Sequence, residues 1–373
     1  MSYPTTARTM LGNIRSNLGA IRARVGDRLV LAAVKANAYG HGAVAVSRLL
    51  EQSGAADWLG VATVEEGEEL RTAGISLPIL KLSPTRGLDD VTRALAAGLT
   101  LTVVDAASVD EATRAAAELA IRDVDVHLKV DTGMRRVGVE PSAAPKLARR
   151  IAAGGRLRLQ GLFSHLPISD IPDGAEFTHH QTAIFAETTA AVERAVGPVE
   201  LKHLANSGAV LGHPDTWLDL VRPGIMIYGS LPDPRAEPTV ELLPGLEWTT
   251  AVSFVKPIAG GETVGYGRTW APARDTWIAT IPVGYGDGYS RLLSNRGRVL
   301  IGGVSYPIVG RVCMDQTMVD LGPEPVAGVG DEVVLIGRRG EQQITVAEIA
   351  ELMGTIPYEV TCLITPRVTR DSD

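Results

Sequence analysis

The chain has 373 residues, of which 45% are hydrophobic and 21% charged, which is ordinary for a globular enzyme with one large and one smaller domain. Its 36 basic and 43 acidic residues give a net charge of −7 without a long basic block, which argues against nucleic acid and anionic membranes as partners. No apolar stretch is long enough to span a bilayer, and two cysteines are too few for a disulfide framework and suit a reducing cytoplasm.

Short apolar runs alternate with amphipathic stretches over the first two thirds of the chain. The predicted strands are residues 29–34, 58–62, 79–82, 99–104, 124–130, 157–164, 201–204 and 218–221, and the predicted helices include 64–73, 89–97, 108–119, 142–152 and 176–195. A strand followed by a helix, repeated roughly eight times, is typical of a parallel (β/α)8 TIM-type barrel. A doubly wound open sheet is the alternative arrangement.

The pattern changes after Gly229. Four prolines mark a connection, and β-rich runs at 249–257, 277–283, 298–301, 317–321 and 332–336 follow, with one helical stretch at 346–353. We therefore predict a barrel domain over 1–236 and a C-terminal mainly-β domain over 237–373, with about the first ten residues packing against the β domain.

Lys35 ends the first apolar run and precedes a turn that contains Tyr39 and two glycines. This pattern places an amine in a cleft beside flexible backbone. A lysine in that position is a candidate for a Schiff base with an aldehyde cofactor.

Further candidate residues lie at or just after the ends of predicted strands five to eight, where a barrel places its functional groups. They are Lys129 near the end of strand five and Arg136 in its loop, His165 after strand six, Asn206 and Ser207 after strand seven, and Arg222, Gly224 and Ile225 after strand eight. We expect them to share one face of the barrel with Lys35.

Barrels commonly bind phosphate with the loops after strands seven and eight. Ser207 and Tyr39 offer hydroxyls, and Gly224 and Ile225 offer backbone N–H groups. A phosphate site together with an imine-forming lysine suits pyridoxal 5′-phosphate. Arg222 could donate to the pyridine nitrogen but could not protonate it, which favours proton exchange at Cα over transamination.

The β domain contributes its own candidates. Tyr266 lies between two glycines, Cys313 and Met314 lie in a compact polar loop, and Tyr358 follows a proline. For each tyrosine the competing interpretation is a half-buried aromatic residue without a chemical role.

Together, the segments 33–42, 128–134, 205–207, 221–225, 265–267, 284–288 and 310–315 resemble alanine racemase, and the resemblance extends from about residue 10 to Arg367. The resemblance implies a homodimer that uses pyridoxal 5′-phosphate and acts on alanine, with active sites shared between subunits. Lys35 would then carry the cofactor and act as one base, and Tyr266 would be the second base on the opposite face.

The remaining roles also follow from the resemblance. Phosphate would be held by Tyr39, Ser207, Gly224, Ile225 and Tyr358. Arg222 would contact the pyridine nitrogen with support from His165, and Arg136, Cys313 and Met314 would bind substrate. Tyr266, Cys313 and Met314 would act in the other subunit's site, and Lys129 matches a lysine that is often carbamylated.

Several alternatives stay open at this point. A serine-preferring or broad-specificity racemase fits the same residues, because residues 166–170 near the expected substrate entrance differ from the family's usual segment. A basic amino-acid decarboxylase would need an acidic residue near the pyridine nitrogen, and a single-barrel cofactor carrier would leave the β domain unexplained. His179 and His180 lie on a predicted helix and are expected to face solvent, and no metal site is expected.

Overall fold

The structure is a computed structural model that describes residues 4–373. Strand β1 (Thr6–Thr9) and helix α1 (Leu11–Val25) precede a set of eight parallel strands. These strands are β2 (Leu29–Ala33), β3 (Trp58–Val61), β4 (Ile79–Lys81), β5 (Leu99–Val103), β6 (Val124–Lys129), β7 (Leu157–Phe163), β8 (Leu201–His203) and β9 (Leu220–Val221).

The eight strands form a barrel. Their order is β8-β7-β6-β5-β4-β3-β2-β9, and every neighbouring pair is parallel. The barrel closes between β8 and β9, where Asp219 N donates to Lys202 O at 3.1 Å and Arg222 N donates to Ala205 O at 2.9 Å. The predicted (β/α)8 barrel is confirmed, and the doubly wound alternative is wrong.

Helices follow the strands around the outside. They are α2 (Lys35–Tyr39), α3 (Ala43–Gln52), α4 (Val64–Thr72), α5 (Leu88–Ala96), α6 (Ala106–Glu118), α7 (Ala144–Ala153), α8 (Ala175–Val196) and α9 (Ser207–Gly212). Capping boxes begin two of them, Thr63 with Glu66 at α4 and Asp105 with Ser108 at α6, because these side chains satisfy backbone N–H groups that the first turn leaves free.

The interior of the barrel combines apolar and polar rings. The rings of Phe163 and His203 stack with centroids 4.7 Å apart, and Trp58 lies 5.5 Å from His127. Gly161 provides the room for this packing, because a Cβ at that position would lie 2.5 Å from the His127 ring. Since strand side chains alternate, residues two positions further along, such as Lys129 and His165, face the same axis nearer the C-terminal rim.

The remaining chain forms a second, mainly antiparallel sheet. Its strands are β10 (Leu246–Ala251), β11 (Phe254–Ile258), β12 (Thr276–Ile281), β13 (Arg298–Ile301), β14 (Val304–Val309), β15 (Thr317–Gly322), β16 (Glu332–Arg339), β17 (Gln342–Ile344) and β18 (Thr369–Ser372). Helices α10 (Val346–Met353) and α11 (Pro357–Cys362) lie between β17 and β18. The sheet packs a hydrophobic core of its own, which includes Trp248, Tyr289 and Val334.

Strand β1 belongs to this second sheet, where it pairs antiparallel with β10 and parallel with β18. The single strand predicted at 249–257 is wrong, because the chain breaks between β10 and β11. There Val252 N donates to Asp331 O and Ser253 N donates to Thr280 O, so the two residues bond to different neighbours.

Among residues 4–373, no helix combines the length and apolarity needed to cross a membrane.

Candidate active site

A cavity of about 630 Å³ opens at the C-terminal ends of the barrel strands. Its lining includes most of the predicted site residues, namely Lys35, Tyr39, Lys129, Arg136, His165, Asn206, Ser207, Arg222, Gly224 and Tyr358. It also contains Asp170 and Asp233, which were not predicted. Four cationic side chains and two carboxylates therefore surround one cavity, so its charge favours an anionic ligand.

Lys35 is placed by an unusual turn. Helix α2 is a single turn in which Ala36, Asn37 and Ala38 have φ values of 51°, 54° and 54°, in the left-handed region. Each non-glycine residue there costs roughly 1–2 kcal/mol. The turn is held by Glu66 Oε1, which accepts from Ala36 N at 2.7 Å, and it directs Tyr39 into the cavity beside Lys35.

The electrostatic surroundings of Lys35 weaken its hold on a proton. Burial lowers the pKa of its amine, and the nearby cation of Arg136 lowers it further, while Glu66 opposes the shift. A lysine with a lowered pKa has more of the neutral amine near pH 7. The neutral amine is the form that attacks a carbonyl and accepts a proton.

Hydroxyls and backbone meet at one side of the cavity. Gly224 N donates to Ser207 Oγ at 2.9 Å, and the rings of Tyr39 and Tyr358 lie with centroids 5.7 Å apart. A Cβ on Gly224 would lie 2.6 Å from the Tyr39 hydroxyl, so only glycine permits this approach. Burial raises the pKa of both tyrosines, so both remain neutral phenols that can donate hydrogen bonds.

Asn206 shapes the adjoining loops. Its side-chain oxygen accepts from Ala209 N at 3.1 Å, which caps α9, and from Ser169 Oγ at 2.8 Å. Its amide nitrogen donates to Leu166 O at 2.8 Å. Asn206 therefore ties the loop after β7 to the start of α9, where Ser207 lies. Ile225 is buried in the turn that follows Gly224 and does not line the cavity, which leaves its backbone as its only predicted contribution.

Arg222 is buried and bonded to neutral acceptors. Its Nη1 donates to His203 Nδ1 at 2.9 Å, and its Nη2 donates to Ser164 O at 2.6 Å and Leu204 O at 3.1 Å. Burial lowers the pKa of Arg222 to about 9, which leaves the guanidinium charged near neutral pH. His165 was expected to support Arg222, but in the structure the histidine that does so is His203, because it projects from β8 into the barrel beneath the guanidinium.

The hydrogen bonds fix the tautomers of two buried histidines. Arginine can only donate, so His203 Nδ1 must be an acceptor and His203 Nε2 must carry the proton. His203 Nε2 then donates to His127 Nδ1 at 2.9 Å, and His127 Nε2 donates to Gln160 Oε1 at 3.3 Å. Burial lowers the pKa of His127 to about 4 and that of His203 well below its ordinary value, so both rings are neutral.

We call this chain of Arg222, His203, His127 and Gln160 the barrel relay. The sequence reasoning missed its last three members. Each of them lies in a predicted strand that is otherwise largely apolar, which is the signal that could have identified them. The relay runs from the floor of the cavity into the barrel, and each donor in it meets one acceptor.

Lys129 lies in a strongly cationic part of the cavity. Burial lowers its pKa to about 8, and Arg222, Arg136 and Lys35 act in the same direction. Its Nζ lies 5.3 Å from the Phe163 ring centroid. The lowered pKa increases the fraction of neutral amine near physiological pH, and the neutral amine is the form that acts as a nucleophile.

The three remaining predicted residues lie away from the cavity. Tyr266 and Met314 are 74% and 53% exposed, and neither they nor Cys313 line the cavity of the same chain. Tyr266 lies between Gly265 and Gly267, which both have positive φ. A single chain therefore does not bring Tyr266 to Lys35, and its assignment to a second subunit's site stays a prediction.

Two family models match the chain, the alanine racemase N-terminal domain over residues 10–232 and the alanine racemase C-terminal domain over residues 245–372. The chain is 50% identical to an alanine racemase of Cutibacterium acnes, covering 98% of this chain and 97% of the relative. It is 42% identical to an alanine racemase of Symbiobacterium thermophilum, covering 98% and 96%.

Solved structures agree with these relatives. An alanine racemase from Clostridium difficile 630 superposes with a TM-score of 0.93 at 34% identity, covering 100% of this chain and 96% of that one. An alanine racemase from D-cycloserine-producing Streptomyces lavendulae also gives 0.93 at 34% identity, covering 100% and 98%. The similarity extends over both the barrel and the β domain.

Proposed function

Because this chain belongs to the alanine racemase family, we propose that it interconverts L-alanine and D-alanine in the rim cavity of the barrel, with pyridoxal 5′-phosphate as its cofactor. The observation that carries the proposal is the convergence of Lys35, Lys129, Arg136 and Arg222 on one cavity. A doubly or triply charged anion with an aldehyde would meet both the cations and the neutral amine that this cavity offers.

The residues present fit that cofactor at three points. Tyr39, Ser207 and Tyr358 supply hydroxyl donors for a phosphate beside the closely packed backbone of Gly224, and Lys35 supplies an amine for an imine bond. Arg222 supplies a charged donor suited to an aromatic nitrogen. When bound, pyridoxal 5′-phosphate would link the substrate amine to an electron-withdrawing ring and so acidify the bond from Cα to hydrogen.

Two bases would then exchange the Cα proton. Racemisation needs a proton donor on each face of a planar centre, because a single base returns the proton to the face it came from. Lys35, with its lowered pKa, would serve one face. Tyr266, supplied by the other subunit of a homodimer, would serve the opposite face, and its large exposure in one chain leaves it free to enter a neighbour's cavity.

Arg222 would influence the choice between racemisation and transamination. Its guanidinium is bonded only to neutral partners, namely His203 and the carbonyls of Ser164 and Leu204, so it can donate to a ring nitrogen and cannot transfer a proton to it. A ring that stays unprotonated withdraws less charge from Cα. Reprotonation at Cα, which is racemisation, is thereby favoured over transamination.

Arg136, Cys313 and Met314 would bind the substrate carboxylate, the last two from the second subunit. Lys129 would orient Arg136 as a carbamate. Its neutral amine would attack CO2 and lose a proton to give a carbamate. The carbamate is an anion beside Arg136, whereas a protonated Lys129 would be a cation that Arg136 repels. Intact mass measurement with and without bicarbonate, compared with Lys129→Met, tests this step.

In the cell we propose a cytoplasmic homodimer that supplies D-alanine for peptidoglycan. One assay tests the reaction itself. Purified protein is incubated with L-alanine and, separately, with L-serine, and the loss of optical activity is followed by circular dichroism with and without added cofactor. Faster racemisation of L-serine would make serine the preferred substrate, and equal rates would indicate a broad-specificity racemase.

The Lys35→Ala variant should lose the imine absorbance of the bound cofactor and the racemase activity together. Lys146→Ala removes an exposed lysine elsewhere on the barrel and serves as the control. If Lys35→Ala kept the imine band, the assignment of Lys35 would be wrong.

A further inference from the structure

Three metal-binding side chains converge on the outer wall of the barrel. They are His179 on α8, His213 directly after α9, and Asp215 two residues later, and one ligand atom from each lies within 4.8 Å of the others. The two histidine rings lie with centroids 5.7 Å apart at 80°. None of these residues contributes to the lining of the rim cavity.

His213 is held rigidly by its own backbone. Its N–H donates to Ala209 O at 2.9 Å, and its carbonyl accepts from Thr216 N at 3.0 Å and Thr216 Oγ1 at 2.7 Å. The side chain of His213 is buried, whereas those of His179 and Asp215 are exposed. The cluster therefore has one fixed ligand and two that can adjust.

We propose that His179, His213 and Asp215 bind one divalent transition-metal ion, with Zn²⁺ as the best match to the ligand set. Two imidazoles and one carboxylate are ligands that Zn²⁺ accepts, with water in the remaining position. Bonds of about 2.0–2.1 Å in a tetrahedron require ligand atoms roughly 3.3 Å apart. The exposed His179 and Asp215 need to move by an ångström or so to reach that spacing.

A bound ion would join α8 to the segment after α9. Helix α9 connects this site to the rim, because it begins at Ser207 in the cavity lining and ends directly before His213. The sequence predicts that His179 and His180 face solvent, and both are exposed in the structure. The residues that His179 meets in the structure are distant along the chain.

The experiment titrates Zn²⁺ into the chelator-treated full-length protein in competition with a chromophoric chelator, and it measures the melting temperature with and without Zn²⁺. The variants are His179→Gln and Asp215→Asn, both at exposed positions that leave the fold undisturbed. His180→Gln is the matched control, because His180 is the neighbouring exposed histidine on the same helix outside the cluster.

We expect one Zn²⁺ per chain, a melting temperature raised by Zn²⁺, and affinity lowered more than tenfold in His179→Gln and in Asp215→Asn but unchanged in His180→Gln. The proposal is overturned if neither variant weakens Zn²⁺ binding relative to His180→Gln. It is equally overturned if the unsubstituted protein shows no saturable binding at one ion per chain.

Discussion

Replacing His203 by leucine tests whether the barrel relay holds Arg222 in place. His203 is fully buried, accepts from Arg222 Nη1 at 2.9 Å and donates to His127 Nδ1 at 2.9 Å. Leucine has a similar bulk but neither accepts nor donates a hydrogen bond. The substitution therefore removes two buried hydrogen bonds while keeping the volume approximately filled.

The structure sets the size of the effect. A hydrogen bond from a charged donor contributes about 1.5–3 kcal/mol, and a buried acceptor left without a partner, here His127 Nδ1, costs roughly 1–3 kcal/mol. We therefore expect His203→Leu to lower the free energy of unfolding by about 3–5 kcal/mol. His203→Gln, which keeps one acceptor and one donor, should lose about half as much.

The assay measures urea unfolding of the cofactor-free protein by its tryptophan fluorescence. Because no cofactor is bound, changes in cofactor affinity do not affect the measured free energy of unfolding. The cofactor-loaded variants should also differ in their absorbance spectra, because a displaced Arg222 alters the environment of the pyridine ring. If His203→Leu and His203→Gln unfold at the same urea concentration as the unsubstituted protein, the relay does not contribute to stability and this reasoning fails.

Three further predictions concern the rim and the buried histidines. Gly224→Ala should weaken cofactor binding at least tenfold, because the added Cβ would lie 2.6 Å from the Tyr39 hydroxyl. Equilibrium dialysis measures this affinity, and an unchanged value would show that Gly224 is not part of the phosphate site. Tyr266→Phe should slow exchange of the Cα deuterium from one alanine enantiomer much more than from the other, and equal slowing would contradict the two-base assignment. Burial lowers the folded pKa of His41, which lies in the turn after α2, and that of His127 to about 4 from 6.5, so the unfolded state binds more protons between these values. Urea midpoints should therefore fall as pH is lowered from about 6.5 towards 4, and a flat profile would show that these rings are not buried in neutral form.

The barrel could be predicted because its strands are short apolar runs between recognisable helices. Parallel strands buried on both faces leave that signal without any knowledge of their partners. The β domain was harder, as the break at Val252 shows. Strand ends there depend on which neighbour offers a hydrogen-bond partner, and Asp331 lies far along the chain from Val252.

The candidate site was also predictable from the sequence only in part. Lys35, Ser207 and Arg222 were identified because they follow strands, and a barrel brings those positions together. The left-handed turn at Ala36, Asn37 and Ala38 could not have been predicted, since none of them is glycine and the Glu66 side chain that bonds to Ala36 N comes from a different helix, α4.

His203, and not His165, is the hydrogen-bond partner of Arg222. This difference bears on whether the site suits racemisation or decarboxylation. Had Arg222 been paired with a carboxylate, its charge would have been largely cancelled, and a ring nitrogen near that carboxylate could have been protonated. The decarboxylase alternative needs such an acid. The relay instead ends in the neutral amide of Gln160, so no proton reaches Arg222 from the barrel and its full charge faces the cavity. We therefore propose that His203, His127 and Gln160, which do not line the cavity, favour proton exchange at Cα by leaving Arg222 without an acidic partner.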